Sequence, residues 1–406
     1  MVNDIGAPPA SVLQVNVRLS EGGAAGVARI LADGLRERGV RSQFAYGYSK
    51  GGRVSPLESG YEGIRVTPGY LAAGNRLSHL LTGEETRLRS PAHWARLVSA
   101  IDQADVVHLH AVHSHMAQVA SLVQAITDAR KPLVWTLHDQ WLFTGRCAQP
   151  GACRRWESGC KRCPDLRAYP PAVLDFANRH WAPRRELLAE ARRRVPVAVV
   201  ACADWLGEEA ERGGLGPVTT ITNSVDRDFW DETGRLSSEP EVGLRTCRAL
   251  FVCRDLRDER KVDWTALREI ARLDGVSLTI VGDHSRVAIP GVNQMPAISD
   301  RRGLARVMAA NDVLVFFSRV DYFPLTIAEA IVAGLQVVAV DSRAAREFSK
   351  AESVQIVAEV TDVVERVRRL ASDGGARGPK ANRRSFDPDV MVDRYVGVYS
   401  GLMARP

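Results

Sequence analysis

Hydrophobic positions along the chain fall into short apolar runs separated by segments of helical period. Residues 11–17 are rich in β-branched and aliphatic side chains. Gly22 and Gly23 then lead into a helical pattern over 24–38 that stops at Gly39. Strands are predicted at 41–46, 64–67 and 105–110, a helix at 114–129, and a strand at 132–138. After a segment rich in Cys, Arg and Gly at 140–171, the alternation resumes. A helix runs up to 194, a strand covers 197–201, a helix starts at 204 and a strand covers 218–222. The stretch 231–241, with Gly234, Ser237, Ser238 and Pro240, reads as a linker. Beyond it strands are predicted at 249–253, 277–281, 312–317 and 336–340. Helices are predicted at 264–273, 303–310 and 324–333, with a late loop at 374–379 and a final helix over 388–403.

Strands alternating with helices call for parallel, doubly wound sheets. With 406 residues the chain is long for one core, and the pattern restarts after the linker. The expectation is therefore two Rossmann-like α/β domains, 1–230 and 242–387, joined by 231–241 and followed by a helix over 388–406. Ligands of open parallel sheets bind beyond the carboxyl ends of the strands, so two such domains are expected to face a central cleft.

Composition adds limits. Hydrophobic residues make up 45% and charged residues 25%, ordinary for a globular enzyme. No apolar run nears the ~18 residues of a membrane span, and no basic region precedes an apolar stretch at Met1–Val2–Asn3–Asp4, which predicts a cytoplasmic protein. The net charge of +6, from 54 Lys and Arg against 48 Asp and Glu, suits an anionic substrate or peripheral contact with the inner membrane face. No aromatic-interleaved basic stripe supports nucleic acid as a partner.

The densest chemistry lies in Ser318-Arg319-Val320-Asp321-Tyr322-Phe323-Pro324-Leu325-Thr326-Ile327-Ala328-Glu329-Ala330. An apolar strand enters a helix here, and a helix starting near Pro324 would aim its free N–H groups at the loop, as a diphosphate requires. Asp321 and Glu329 could accept hydrogen bonds from sugar hydroxyls; the plainer reading is a dipole-offsetting Asp and a surface Glu. Cys147, Cys153, Cys160 and Cys163 could close a structural Zn²⁺ site, pair as disulfides, or pack as thiols. The insertion has too few aliphatic residues for a core of its own and needs a staple or the parent domain. Among His108, His110, His113 and His115, strand and loop packing is expected, with His110 alone near a substrate.

The 318–330 segment resembles the Glu-x7-Glu motif of retaining glycosyltransferase family four, whose members have the GT-B fold. Gly22-Gly23 looks like that family's glycine-rich loop. Thr222-Asn223-Ser224-Val225-Asp226 with Phe229 looks like its interdomain signature. Trp135-Thr136-Leu137-His138-Asp139-Gln140-Trp141-Leu142-Phe143-Thr144-Gly145-Arg146-Cys147, Cys160-Lys161-Arg162-Cys163-Pro164 and Tyr169-Pro170 resemble the colanic-acid-biosynthesis-type branch. The resemblance implies a retaining, metal-independent, hexosyltransferase-type enzyme moving a sugar from a nucleoside diphosphate sugar to a hydroxyl-bearing acceptor, with no catalytic cofactor. It puts the donor on Gly22, Gly23, Arg254, Lys261, Asp321, Phe323, Pro324, Leu325 and Glu329. It puts the acceptor near His110, His138 and Asp139, with His138, Asp321, Arg254 and Lys261 in catalytic roles. The final helix is expected to cross back onto the first domain. Asp321 in place of Glu, and Cys253 and Val262 in place of Gly, also leave open a catalytically weak, nucleotide-sugar-binding auxiliary subunit.

Overall fold

The computed structural model describes residues 7–83, 88–236, 246–285, 287–373 and 383–404. They form two units, Met1–Thr222 with Met391–Pro406, and Asn223–Val390. In the first, chain order is β1 (Ser11–Asn16), α1 (Gly23–Glu37), β2 (Arg41–Tyr46), β3 (Ile64–Arg65), α2 (Gly69–Thr82), α3 (Pro91–Gln103), β4 (Val106–Leu109) and α4 (Val119–Asp128). Then come β5 (Leu133–Leu137), α5 (Ala177–Arg194), β6 (Val197–Ala201), α6 (Asp204–Arg212) and β7 (Val218–Thr220). The second holds α7 (Arg227–Arg235), β8 (Cys247–Asp255), α8 (Trp264–Ile270), β9 (Val276–Asp283), β10 (Asn293–Met295) and α9 (Arg301–Ala309). It continues with β11 (Val313–Phe316), α10 (Leu325–Ala333), β12 (Gln336–Val340), α11 (Arg343–Arg346), β13 (Val354–Val357) and α12 (Val360–Ser372). The last helix, α13 (Pro388–Met403), returns to the first unit.

Among the described residues both sheets are parallel throughout. The first has the order β3-β2-β1-β4-β5-β6-β7 and the second β10-β9-β8-β11-β12-β13. Each winds outward in both directions from a central strand, so the switch points lie between β1 and β4 and between β8 and β11. Strands β4, β5 and β11 are buried at every position, as expected where helices cover both faces.

Two differences from the sequence reading have clear causes. The boundary falls at Thr222/Asn223 rather than 230. Helix α7 belongs with the second unit because Arg302 and Arg306 of α9 reach its Asp228 and Glu232 at 2.7 and 2.6 Å. Of the expected linker, 231–235 is helical, and 237–241 lies outside the described residues, as does the loop at 374–379. The sequence pattern does not predict helices α2, α3, α7, α11 and α12 or strands β10 and β13.

Helix α13 is held on the first unit mainly by burial. Val392, Tyr395 and Tyr399 are fully buried, each side chain contributing roughly 1.5–3 kcal/mol. Gly34 of α1 permits this contact, since a Cβ there would stand 2.5 Å from Val392 Cγ2. The Arg38–Asp393 pair at 2.7 Å is largely exposed and adds at most about 1 kcal/mol.

Candidate active site

In the second unit the chain leaves β11, passes Ser318 to Phe323 and enters α10, with Pro324 at the N-cap. Leu325 and Thr326 head the helix, where amide N–H groups lack intrahelical acceptors. Gly334, at φ 81°, ends it in the left-handed conformation that glycine adopts without penalty. Phe323 is buried against Phe348 and Phe386, with ring centroids 4.9 and 6.4 Å away, which anchors the loop before the helix.

Both carboxylates of this segment are paired. The Lys261 ammonium donates to Asp321 at 2.5 Å, and both side chains keep about a quarter to a third of their surface exposed. Lys261 reaches back because Asp258 O accepts the N–H groups of Lys261 and Val262 at 2.8 and 3.1 Å, closing a turn after β8. Within the 254–261 run, Arg257 and Arg260 are taken by Asp255 and Asp258. Exposed Arg254 has no ion pair among the described residues. Cys253 places a thiol close enough to feel both Lys261 and Asp321; burial pushes that thiol up.

Glu329 lies on the buried side of α10, 6% exposed, and accepts from the Arg301 guanidinium at the start of α9. Burial pushes Glu329 above the usual carboxylate range, and Arg301 opposes that push. An unpaired carboxylate at this depth would cost several kcal/mol, so Arg301 is the compensating charge. It lies over Phe229, 5.8 Å from the ring centroid, while Asp226 caps α7 by accepting from Asp228 N at 3.0 Å. The interdomain signature therefore supports Arg301, a residue the sequence reading had not picked out.

In the first unit the carboxyl ends of β4 and β5 bring together His110, His113, His138, Asp139 and Trp141 around one hollow. Asp139 accepts from Trp141 N at 2.9 Å and from His113 Nε2 at 2.8 Å. Burial pushes Asp139 up, but His113 and the Trp141 N–H outweigh it and hold the carboxyl below its usual range. His138 Nε2 lies 3.0 Å from His110 Nδ1, and the rings stack at 5.3 Å. Burial lowers His138 to about 4 and His110 well below the ordinary range, so both imidazoles are neutral. His113, assigned to packing alone, instead positions Asp139. A hollow of about 250 Å³, lined by Thr67, Arg89, Trp94, Met116 and Gln118, lies elsewhere in the same unit.

Gly22 and Gly23 stand at the head of α1, with nothing within 4 Å of a Cβ built on either; Gly22 has φ 94°. They belong to the first unit, whereas the other residues expected at the donor belong to the second. The insertion is stapled by side chains not anticipated in that role. Arg146, 2% exposed, donates to the carbonyls of Ala168 at 2.8 Å, Asp165 at 2.6 Å and Pro170. Trp156 packs on Phe143 at 5.0 Å, and Arg184 lies 3.8 Å over Trp141. Cys147, Cys153, Cys160 and Cys163 are free thiols, and among the described residues no three His, Cys, Asp or Glu are grouped to hold a metal ion.

Comparison with known proteins agrees with this architecture. The family model Glycosyltransferase Family 4 matches residues 21–229, and Glycosyl transferases group 1 matches 247–373. WcaC of Escherichia coli (strain K12), assigned by name to colanic acid biosynthesis as a glycosyl transferase, is 31% identical over 97% of this chain and 100% of its own. A glycosyltransferase from Rickettsia africae ESF-5 superposes with a TM-score of 0.63 at 14% identity, covering 98% and 99% of the two chains. Anabaena HepE in complex with UDP gives 0.58 at 15%, covering 97% and 98%. The chain has the GT-B fold of two Rossmann-like domains and belongs to glycosyltransferase family 4.

Proposed function

We propose that the protein transfers a hexosyl-type group from a nucleoside diphosphate sugar to a hydroxyl, with retention of anomeric configuration and without a metal ion. The observation that carries this reading is the pair of cation–carboxylate contacts around α10, Lys261 with Asp321 and Arg301 with Glu329. A diphosphate arriving at the head of α10 offers Lys261 and Arg254 an anion better matched to them than Asp321. Asp321 is then free to accept hydrogen bonds from the donor sugar, while Glu329, kept in place by Arg301, accepts from the ribose. Phe323, Pro324 and Leu325 contribute backbone contacts.

As the bond from the anomeric carbon to the phosphate oxygen breaks, negative charge grows on the leaving diphosphate. Fixed cations and helix N–H groups stabilise that charge without rearrangement. The acceptor oxygen bonds to the anomeric carbon on the same face, and its proton passes to the departing phosphate oxygen. No strong base is required, which suits a neutral His138 and an ionised Asp139 as hydroxyl acceptors. HepE was crystallised with UDP and with UDP-glucose, so uridine donors are the first to test. WcaC's name supports a polysaccharide or lipid-linked glycan as acceptor class. Among the described residues no helix is long and apolar enough to cross a membrane, so reaching such an acceptor would call for peripheral contact.

The test is a panel of UDP-, GDP- and dTDP-sugars in calorimetry, followed by NMR of the product's anomeric centre. An α-linked product from an α-configured donor, formed equally in EDTA, is expected. An inverted product overturns the mechanism, and prompt rescue by Mg²⁺ overturns the metal-free scheme. Donor binding without turnover in any acceptor mixture would make the protein an auxiliary subunit.

A further inference from the structure

The loop that follows β4 is bent by two adjacent residues, Ser114 and His115, at φ 70° and 71°. Left-handed backbone is costly for residues of these types and persists only where the surroundings hold it. Side chains from four separate segments do so here. Tyr48, after β2, donates to the Ser114 carbonyl at 2.8 Å. Thr67, after β3, donates to the Met116 carbonyl. His79 of α2 meets the His115 ring at 5.2 Å. Tyr169, from the Cys-rich insertion, donates its hydroxyl to Ser114 Oγ at 2.5 Å, across 55 positions of sequence.

Ser114 Oγ also lies 2.5 Å from Nδ1 of His113, whose Nε2 meets Asp139 Oδ2 at 2.8 Å. An ionised carboxylate only accepts, so His113 carries a proton on Nε2 whether its ring is neutral or charged. A serine hydroxyl has one proton and two lone pairs, so it completes the bond at Nδ1 in either state while still linked to Tyr169. Trp141 and Tyr169 flank the His113 ring, with centroids 5.5 and 6.0 Å away. Tyr169 is itself fixed on both sides. Arg146 binds the carbonyls of Ala168 and Pro170, and the Tyr169 carbonyl accepts from Ala148 N at 2.8 Å. The Asp139 side chain is 20% exposed and that of His113 only 7%, so the carboxylate borders the hollow at its tip while the ring that orients it lies behind.

We propose that Tyr169 and Ser114 are positioning residues for the acceptor: by holding His113 at Nδ1 they keep its Nε2–H on Asp139, and so aim the carboxylate at the incoming hydroxyl. The Cys-rich insertion is then a working part of the acceptor site, reaching it through one phenol. The proposal rests on the placement of the acceptor hydroxyl at Asp139.

The test uses the full chain. The titratable groups that face Asp139 are His113, His138 and Tyr169. Followed by carboxyl ¹³C NMR, Asp139 is expected to titrate below the ordinary range in the wild type and higher in Tyr169→Phe and in Ser114→Ala, as its hold on His113 loosens. Ser114→Ala breaks the link without touching the insertion, so it decides the matter if Tyr169→Phe does not fold. Transfer is measured with the nucleotide sugar selected in the panel above and octyl glucoside as a generic hydroxyl acceptor. Each variant should lower kcat/KM for octyl glucoside about fivefold, the worth of one neutral hydrogen bond, with UDP affinity unchanged. Groups acting through one carboxylate are not additive, so Tyr169→Phe should cost nothing further in an Asp139→Asn background. An Asp139 titration that neither variant moves overturns the proposal, with or without turnover of octyl glucoside. So does a Tyr169→Phe loss that persists in full beside Asp139→Asn, since it then acts through the fold of the insertion. If the titration moves as expected but Asp139→Asn transfers normally, the acceptor placement fails and the link from Tyr169 to Asp139 stands.

Discussion

The two units wind their strands in the same order but keep polar groups at the strand ends by opposite means. The second holds opposite full charges in contact, Lys261 on Asp321 and Arg301 on Glu329. The first holds neutral groups in contact, Gln14, His110 and His138, beside the carboxyl of Asp139, which His113 steadies. Charge pairs can exchange partners when a stronger anion arrives, which suits a site that binds and releases a diphosphate. Neutral groups cannot exchange in that way, but their directional hydrogen bonds hold the rings in place. Affinity is thus expected to reside in the second unit and orientation in the first.

The largest test of that division is His138→Ala. Transfer is expected to fall about a hundredfold or more, with nucleotide affinity unchanged in calorimetry. A fall in melting temperature large enough to explain the lost activity would return His138 to a structural role. Next is Glu329→Gln, which keeps a polar group for Arg301 but removes the charge. UDP should bind roughly ten- to a hundredfold more weakly, the worth of about 1.5–3 kcal/mol in hydrogen bonds to a charged group. Glu329→Ala would also strand Arg301 and lower stability by about 3–5 kcal/mol, a loss that denaturant titration separates from binding. Equal UDP affinity in Glu329→Gln would remove Glu329 from the donor.

Asp321→Asn sharpens the comparison further. It releases Lys261, so UDP should bind as well as before or slightly tighter, while turnover falls about tenfold through one lost charged contact to the sugar. Equal losses of UDP and UDP-sugar affinity would contradict the exchange of partners. A smaller effect is expected with pH. His138 titrates at about 4 in the folded chain against about 6.5 unfolded, so the unfolded chain binds more protons between those values. Melting temperature should therefore fall as pH drops from about 6.5 towards 4 and then cease to respond to this group. A step in kcat/KM near 6.5 that vanishes in His138→Ala would show the imidazole charging where burial should keep it neutral. The smallest effect concerns the insertion. With Arg146 and Trp156 as staples, reduced protein is expected to show four alkylatable thiols there and no stoichiometric zinc. About one zinc per chain would mean that metal draws the cysteines into a grouping not seen among the described residues.

Most strands could be read from the sequence because a strand buried on both faces is a short apolar run, and Val313–Phe316 or Leu133–Leu137 have no other reading. Helix α2 escaped because Tyr70, Leu77 and Leu81 are exposed on its outer side, which blurs the apolar stripe. Helix α12 did carry a signal, with valines at 360, 363, 364 and 367 after a capping box of Glu359 and Asp362. Asp321 and Glu329 stood out through a motif nine residues long. Arg301 did not, because its partner is 28 positions away. The link from His108 to Tyr399 spans 291 positions, and no local pattern announces it.

The return of α13 also imposes an order on biosynthesis. His108 and Thr136 leave the ribosome long before Tyr395 and Tyr399, with the whole second unit made in between. At ordinary translation speeds of about 5–20 residues per second, the gap from Thr222 to Tyr399 lasts roughly 10–35 s. During that time the first sheet has its strands but lacks the hydroxyls that its buried imidazole and threonine bond. A nascent chain stalled within the second unit should therefore hold a first unit still open to protease and to hydrogen exchange around β4 and β5, and the first-made half of the molecule should be the last to close.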